Sequence, residues 1–241
     1  MPVLDAHVHC GLTLPWEVIQ ERWRGGGIDG GVLFSPAEEI YQRSDPWFTD
    51  SEDYRLHREK VHQYLCSLLK DDLFAYWFVW NDFELPWQEF SGIKWHRHAD
   101  EPVYQYGGED FYSLLEEICR RRMPVIIEEE MENTIYLLEA INNRTSVIIP
   151  HMGMLNGGYR SLKEAGVFEN KTVFVDTALG DPTSIRDFAS DYGVERIIFG
   201  SDFPFGEPAR EKHKVEKLFS EGERKKVEEE NLRSVLEKVR S

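Results

Sequence analysis

Two histidines, His7 and His9, stand two residues apart near the start of the chain, with Asp5 two residues before them. Successive side chains of a strand alternate between its faces, so this spacing predicts that Asp5, His7 and His9 share one face, where two imidazoles can chelate a divalent ion. The competing reading is a pair of unrelated core or edge histidines. Burying both at the end of an apolar strand costs free energy unless a metal or a hydrogen-bond partner satisfies them, which favours the ligand reading. Three other apolar runs also end in ionisable residues. Asp202 follows Gly200-Ser201, where a turn or cap residue is the plain alternative, and His151 follows Pro150, where a lone histidine is more often structural. The third run ends in Glu128-Glu129-Glu130. By alternation Glu128 and Glu130 share a face and Glu129 takes the other. Three adjacent carboxylates repel one another, so a nearby cation relieves them; alternatively the triplet opens the next helix. Lys94, His96 and His98 alternate in the same way, with Lys94 either orienting an anionic substrate group or pairing with a carboxylate. His96 and Arg97 are weaker candidates for the pocket wall.

These residues need a scaffold, and the pattern around them supplies one. Eight short β-branched or aromatic runs are predicted as strands: Val3 to His9, Gly31 to Ser35, Leu73 to Trp80, Gly92 to His96, Pro124 to Glu128, Ser146 to His151, Thr172 to Asp176 and Arg196 to Asp202. Helices are predicted over Trp16 to Arg24, Asp53 to Lys70, Asp110 to Arg122, Asn133 to Asn142, Tyr159 to Glu164, Ser184 to Tyr192, and as a charged pair from Glu211 to Arg240. Runs such as Val147-Ile148-Ile149 are apolar at consecutive positions, as in parallel strands covered on both faces. The expected fold is α/β, a single-domain (β/α)8 barrel over residues 1–241, with the active site at the C-terminal ends of the strands. Asp110 and Pro182 mark helix starts. Glu38 to Ser51 is the longest candidate loop and the natural lid. Gly25 to Gly31 is a helix-to-strand turn and not a phosphate loop, since it precedes a strand and lacks a following Lys-Ser or Lys-Thr. The aromatics Tyr76, Trp77, Phe78, Trp80, Trp87 and Trp95 are expected mainly to pack between barrel and helices. His57, His62 and His213 fall in charged helical stretches and are expected on helix faces.

Composition narrows the function classes. With 28 Lys plus Arg against 44 Asp plus Glu, the net charge is −16, which opposes attraction to phosphate backbones and anionic lipid. Neither nucleic acid nor membrane is expected as a partner; a small-molecule substrate is, with a homo-oligomer as a further expectation. Cys10, Cys66 and Cys119 form no CxxC pair, so neither a disulfide framework nor a thiolate metal site is indicated and a reducing, cytoplasmic setting is expected.

The chain resembles the amidohydrolase superfamily of metal-dependent hydrolases, most closely the branch that also contains non-oxidative decarboxylases. The resemblance runs through Asp5-Ala6-His7-Val8-His9, Gly92-Ile93-Lys94, Pro124-Val125-Ile126-Ile127-Glu128, Ile149-Pro150-His151-Met152-Gly153 and Phe199-Gly200-Ser201-Asp202-Phe203-Pro204. It implies that His7 and His9 ligate a divalent metal, and that Asp202 contacts the ion or its water and accepts the proton. His151 would be either a ligand of a second metal or a group hydrogen-bonded to substrate. The departure is Glu128, where that branch has a histidine; a carboxylate can ligate in its place, which makes Glu128 the fifth ligand candidate. Zn is the expected ion, with Mn or Mg as alternatives, one or two per site. A strand-four lysine is carbamylated in some members and bridges two metals, a further reading for Lys94. The function implied is hydrolysis of an amide, lactone or ester bond in a small polar molecule. The alternatives are decarboxylation of a small unsaturated or aromatic acid, with Lys94, Arg97 and Arg43 as carboxylate anchors, and a non-catalytic metal- or ligand-binding barrel.

Overall fold

The protein, seen here as a computed structural model that describes residues 2–239 of its 241, is one eight-stranded parallel barrel. Its strands are β1 (Leu4–His9), β2 (Gly30–Phe34), β3 (Leu73–Phe78), β4 (Gly92–His96), β5 (Val125–Glu128), β6 (Val147–Ile149), β7 (Val173–Asp176) and β8 (Ile197–Ile198), paired in chain order. Beyond β8 the chain runs on beside β1 and closes the ring, with a left-handed turn of the backbone at Asp202 (φ 58°). Phe199 and Phe203 accept from the N–H groups of Ala6 and His9 at 2.9 and 3.0 Å, and Asp202 N–H donates to the His7 carbonyl at 2.8 Å.

Helices α1 (Trp16–Gly26), α2 (Glu52–Leu68), α3 (Glu109–Arg121), α4 (Met131–Ile141), α5 (Tyr159–Glu164), α6 (Pro182–Tyr192) and α7 (Pro208–Leu218) cover the barrel. Asp110 lies inside α3, whose cap is Gly108, while α6 opens with Pro182 behind Asp181, whose carboxylate accepts from the N–H groups of Thr183 and Ser184. Gly27 ends α1 at φ 65°, the left-handed conformation that glycine adopts without strain. No helix joins β3 to β4. That connection is held instead by Arg121, which donates to the carbonyls of Pro86, Trp87, Gln88 and Phe90 at 2.8–3.1 Å. The charged C-terminal pair resolves into α7, α8 (Glu221–Lys225), a π turn at Lys226–Glu230 and α9 (Asn231–Leu236); Arg240 lies outside the described residues.

The apolar residues form two cores. The outer one fills the space between sheet and helices, and holds Trp77 and Trp95. The inner one plugs one end of the barrel with Leu4, Ala6, Val32, Phe34, Tyr76, Ile126, Ile148, Phe174 and Ile198, and α9 covers it through Leu232, Val235 and Leu236. His62, expected on a helix face, is buried in the outer core. Its ring stacks on Trp77 with centroids 3.8 Å apart, because α2 turns that side to the sheet. No helix among the described residues is long and apolar enough to cross a membrane.

Candidate metal centre

On three strands alternation carries the inward face to an ionisable residue at the C-terminal end: the inner-core residues Ile126 and Phe174 are followed two residues on by Glu128 and Asp176, and Gly92 by Lys94 and His96. In β1 the count breaks. Asp5 pairs with Gly31 and Val8 with Leu33, so three steps on β1 face two on β2, a bulge that turns His7 to the barrel interior directly after Ala6. Asp5 therefore does not join His7 and His9 on one face. Buried on the other side of the sheet, its Oδ1 accepts from the N–H groups of His7 (3.2 Å) and Ser201 (2.8 Å). Burial pushes its carboxyl up to about 7.

His7, His9 and Asp202 converge. Asp202 Oδ1 lies 3.3 Å from His7 Nε2 and 3.2 Å from His9 Nε2. The other nitrogen of His7, Nδ1, is 2.7 Å from Asp176 Oδ2. A carboxylate only accepts, so Nδ1 carries the proton. Burial, with Lys94 adding to it, brings the His7 imidazole down to about 4 and keeps the ring neutral. Its Nε2 lone pair then faces the Asp202 carboxylate. Burial opposes ionisation of Asp202, but the other imidazoles around it, His9 and His151, outweigh it and hold the group at about 2. The unprotonated nitrogen and the anionic oxygen repel unless a cation joins them; Lys94 Nζ stands 3.3 Å from the nitrogen, and the N,N,O donor set suits a divalent ion such as Zn or Mn. These residues fit a metal.

His151 enters from a backbone bend, φ 55° there and φ 54° at Met152, a left-handed pair that costs strain for side chains of this size. Asp176 holds the bend through Oδ1, which accepts from the N–H groups of His151 (2.8 Å) and Ala178 (3.1 Å). His151 Nε2 lies 3.6 Å from Glu128 Oε2 and 3.9 Å from Asp202 Oδ2. Burial disfavours its charge, but Glu128, Asp176 and Asp202 overcome this and raise the imidazole to about 9.

Glu128 is surrounded by donors. Lys94 Nζ, fully buried, donates to Oε2 at 2.6 Å and stands 3.3 Å from His7 Nε2. His98 Nδ1 accepts from Arg43 Nη2 at 2.9 Å, so its Nε2 bears the proton and donates to Glu128 Oε1 at 2.7 Å. His96 Nε2 lies 3.3 Å from the same oxygen. Burial alone would raise this carboxyl; Lys94, His96 and His151 reverse that and hold it well below the usual range. Tyr41 OH donates to Glu101 Oε2 at 2.8 Å and stands 3.1 Å from His96 Nδ1, while Arg43 also pairs with Glu101. The loop read as a lid thus reaches the wall of the site through Tyr41 and Arg43, and its Trp47 projects into solvent, 89% exposed.

Of the eight predicted site residues, the structure brings His7, His9, Lys94, His96, Glu128, His151 and Asp202 together and leaves Arg97 out. Adjacent to His96, Arg97 points the other way and pairs with Glu129 at 3.0 Å and with Glu130. The sequence reading missed Asp176, His98 as a donor to Glu128, and the Tyr41–Glu101–Arg43 wall. Asp176 had a signal, an aspartate ending the apolar run Val173-Phe174-Val175. Beside the cluster a groove of 720 Å³ runs between α6 and α7, and Phe205, which lines it, meets the His9 ring edge-on at 5.5 Å.

Residues 88–237 match the amidohydrolase family. The whole chain superposes on a protein from Pseudomonas putida assigned as a 2-pyrone-4,6-dicarboxylic acid hydrolase, at 15% identity and TM-score 0.69, covering 99% of it. A 2,6-dihydroxybenzoate decarboxylase from Rhizobium is similar over 98% of this chain and 99% of its own, at 14% identity and TM-score 0.70. A dihydroxybenzoic acid decarboxylase from Polaromonas sp. JS666, with bound manganese and the inhibitor 2-nitroresorcinol, is similar over 100% of this chain and 98% of its own, at 12% identity and TM-score 0.67. No curated protein matches the sequence significantly.

Proposed function

Because this chain belongs to the amidohydrolase family, we propose that it is a metal-dependent hydrolase of an amide, lactone or ester bond in a small polar molecule. The observation that carries the reading is the convergence of the unprotonated His7 Nε2 and His9 Nε2 on the Asp202 carboxylate at 3.3 and 3.2 Å, with Asp176 fixing the His7 tautomer from behind. His7, His9 and Asp202 would hold the ion, with His151 and Glu128 beside them. Zn is the proposed metal and Mn or Mg the alternatives. When bound, the ion supplies Lewis acidity and brings the pKa of its water toward ~7.

The chain's own groups do the rest. Asp202, ionised at neutral pH, accepts a proton from the attacking water and returns it to the leaving group. His151, charged below about pH 9, presents its Nε2 proton to the oxygen on which negative charge develops. Lys94 and Arg43 are engaged by Glu128 and Glu101, and Arg97 by Glu129, so the carboxylate anchors that a decarboxylase requires are already paired. That favours hydrolysis, while the similar decarboxylases keep loss of carbon dioxide as the alternative reading. The acidic pI of about 4.9 and the three free cysteines support a cytoplasmic location.

Metal analysis followed by product analysis tests the proposal. The expected result is bound divalent ion in the purified protein, weakened by His7→Ala, and base uptake on lactones, amides or esters. Carbon dioxide release from aromatic acids would transfer the assignment to the lyase. Substoichiometric metal with affinity indifferent to His7→Ala would leave a non-catalytic barrel.

A further inference from the structure

The groove between α6 and α7 differs in charge from the chain as a whole. The chain carries 28 Lys plus Arg against 44 Asp plus Glu, whereas the groove is lined by Arg186, Arg210, Lys214 and Lys217 against Asp181, Glu207 and Glu211. All three carboxylates are engaged. Asp181 accepts from the N–H groups of Thr183 and Ser184 at 2.9 and 3.1 Å. Glu207 stands 3.8 Å from Arg22, and the buried Glu211 accepts from Leu179 N–H at 3.0 Å and pairs with Lys214. Lys214 is engaged as well, donating to the carbonyls of Thr177 and Gly180 at 2.7 and 2.9 Å. The side chains of Arg186, Arg210 and Lys217 are exposed and have no carboxylate or carbonyl partner among the described residues. Their donors are left for something outside the chain.

Position points the same way. The groove walls include residues 179–182, after β7, and 204–207, after β8. In parallel barrels the loops after strands seven and eight often hold a phosphate. A volume of 720 Å³ falls within the about 300–1,000 Å³ of small-molecule sites. Phe205, 61% exposed, lines the groove and also meets the His9 ring. One molecule can therefore lie across Phe205 with one end in the groove and the other at His9.

Resting on the hydrolase reading above, we propose that the groove is a substrate subsite for an oxyanion, a phosphate or carboxylate group remote from the bond that is cleaved. Arg186 and Arg210 hold it and Lys217 adds charge. A guanidinium presents parallel N–H donors that match two oxygens of either group. Phe205 packs against the body of the molecule between the anion and the scissile bond. Lys94, Arg43 and Arg97 are already paired with Glu128, Glu101 and Glu129, so an anionic substrate must find its counter-ions outside the mouth.

Calorimetric titration of the full, metal-loaded chain with inorganic phosphate and, separately, with succinate tests the groove. At least one of the two anions should bind, and which one distinguishes phosphate from carboxylate. The affinity should fall about tenfold or more in the double variant Arg186→Gln/Arg210→Gln, whose exposed positions should leave the thermal transition in place, and should persist in His7→Ala. In the base-uptake assay, esters bearing a distal phosphate or carboxylate should be preferred over their neutral counterparts, and the double variant should lose that preference. No binding of either anion, binding indifferent to the double variant, or binding lost only in His7→Ala, which would place the anion at the metal, each overturn the proposal. If no ester, lactone or amide is hydrolysed while the anion still binds at Arg186 and Arg210, the hydrolase reading fails and the oxyanion site stands. Hydrolysis without a groove-dependent anion site removes this proposal alone.

Discussion

The two ends of the barrel are built from the same strands and obey opposite rules. At one end Leu4, Ala6, Ile126, Ile148, Phe174 and Ile198 fill the interior and α9 covers them. At the other, His7, His9, Lys94, Glu128, His151, Asp176 and Asp202 are almost as deeply buried, yet ionisable. An aliphatic side chain needs only volume and exclusion of water, whereas a buried charge needs a partner at a definite distance. The mouth meets that need through reciprocal pairing, with Asp176 to His7, Lys94 to Glu128 and Arg43 to Glu101. His62 gives the contrast within one residue type. It is buried in the outer core with its Nε2 unpartnered, and burial together with Arg58 lowers it to about 3. His151, among carboxylates, is raised to about 9.

The largest expected effect comes from removing the charge on which the mouth depends. Asp202→Asn should lower turnover by about 10²–10⁴-fold while the thermal transition persists; steady-state kinetics that show wild-type rates would remove Asp202 as the proton acceptor. At the opposite end, Ile148→Ala should cost about 2–5 kcal/mol by opening a cavity. That would appear in calorimetry as a Tm lower by roughly 5–20 °C, with metal affinity unchanged. Loss of metal binding in this variant would show that the two ends do not behave independently.

His62 yields a smaller, pH-dependent effect. Its folded pKa lies below the unfolded value of 6.5, so below pH 6.5 the unfolded chain binds a proton that the folded chain excludes, and stability falls as pH drops from 6.5 toward about 3. Between pH 6.5 and 5 the expected loss is about 2 kcal/mol. His62→Phe, which keeps an aromatic ring on Trp77, should lessen the decline in Tm over that interval; an unchanged slope would assign it to other groups. The smallest effect is expected from Arg97→Ala. Its partners are Glu129 and Glu130, which follow β5 and face away from the metal cluster, so kcat and KM should stay within about twofold even though the buried Glu129 loses a partner and stability falls. A large rise in KM would return Arg97 to the pocket.

Much of this was legible in the linear order of residues. Gly92 to His96 and Tyr159 to Glu164 match the observed elements end to end, because strong periodicity and clear turn residues bound them. Asp202, His151 and Glu128 could be singled out because each ends an apolar run, where a barrel places its C-terminal mouth. The misreadings have local causes. A bulge in β1 adds one residue to the alternation and separates Asp5 from His7, and no composition signal marks it. The sequence pattern carries strand eight to Asp202, whereas regular pairing with β7 ends at Ile198 and the next residues pair with β1. That closure is invisible until the first and last strands meet.

The sequence by itself determined the eight runs, their parallel α/β class and the residue types available for chemistry, because periodicity and side-chain chemistry are properties of neighbours along the chain. The tertiary structure alone decided which nitrogen of His7 is bare, that Asp176 stands behind it, and that Lys94 meets Glu128 across two strands. Those outcomes depend on distances of a few ångströms between residues separated by 34 to 195 positions, at which a proton or a charge either has a partner or lacks one.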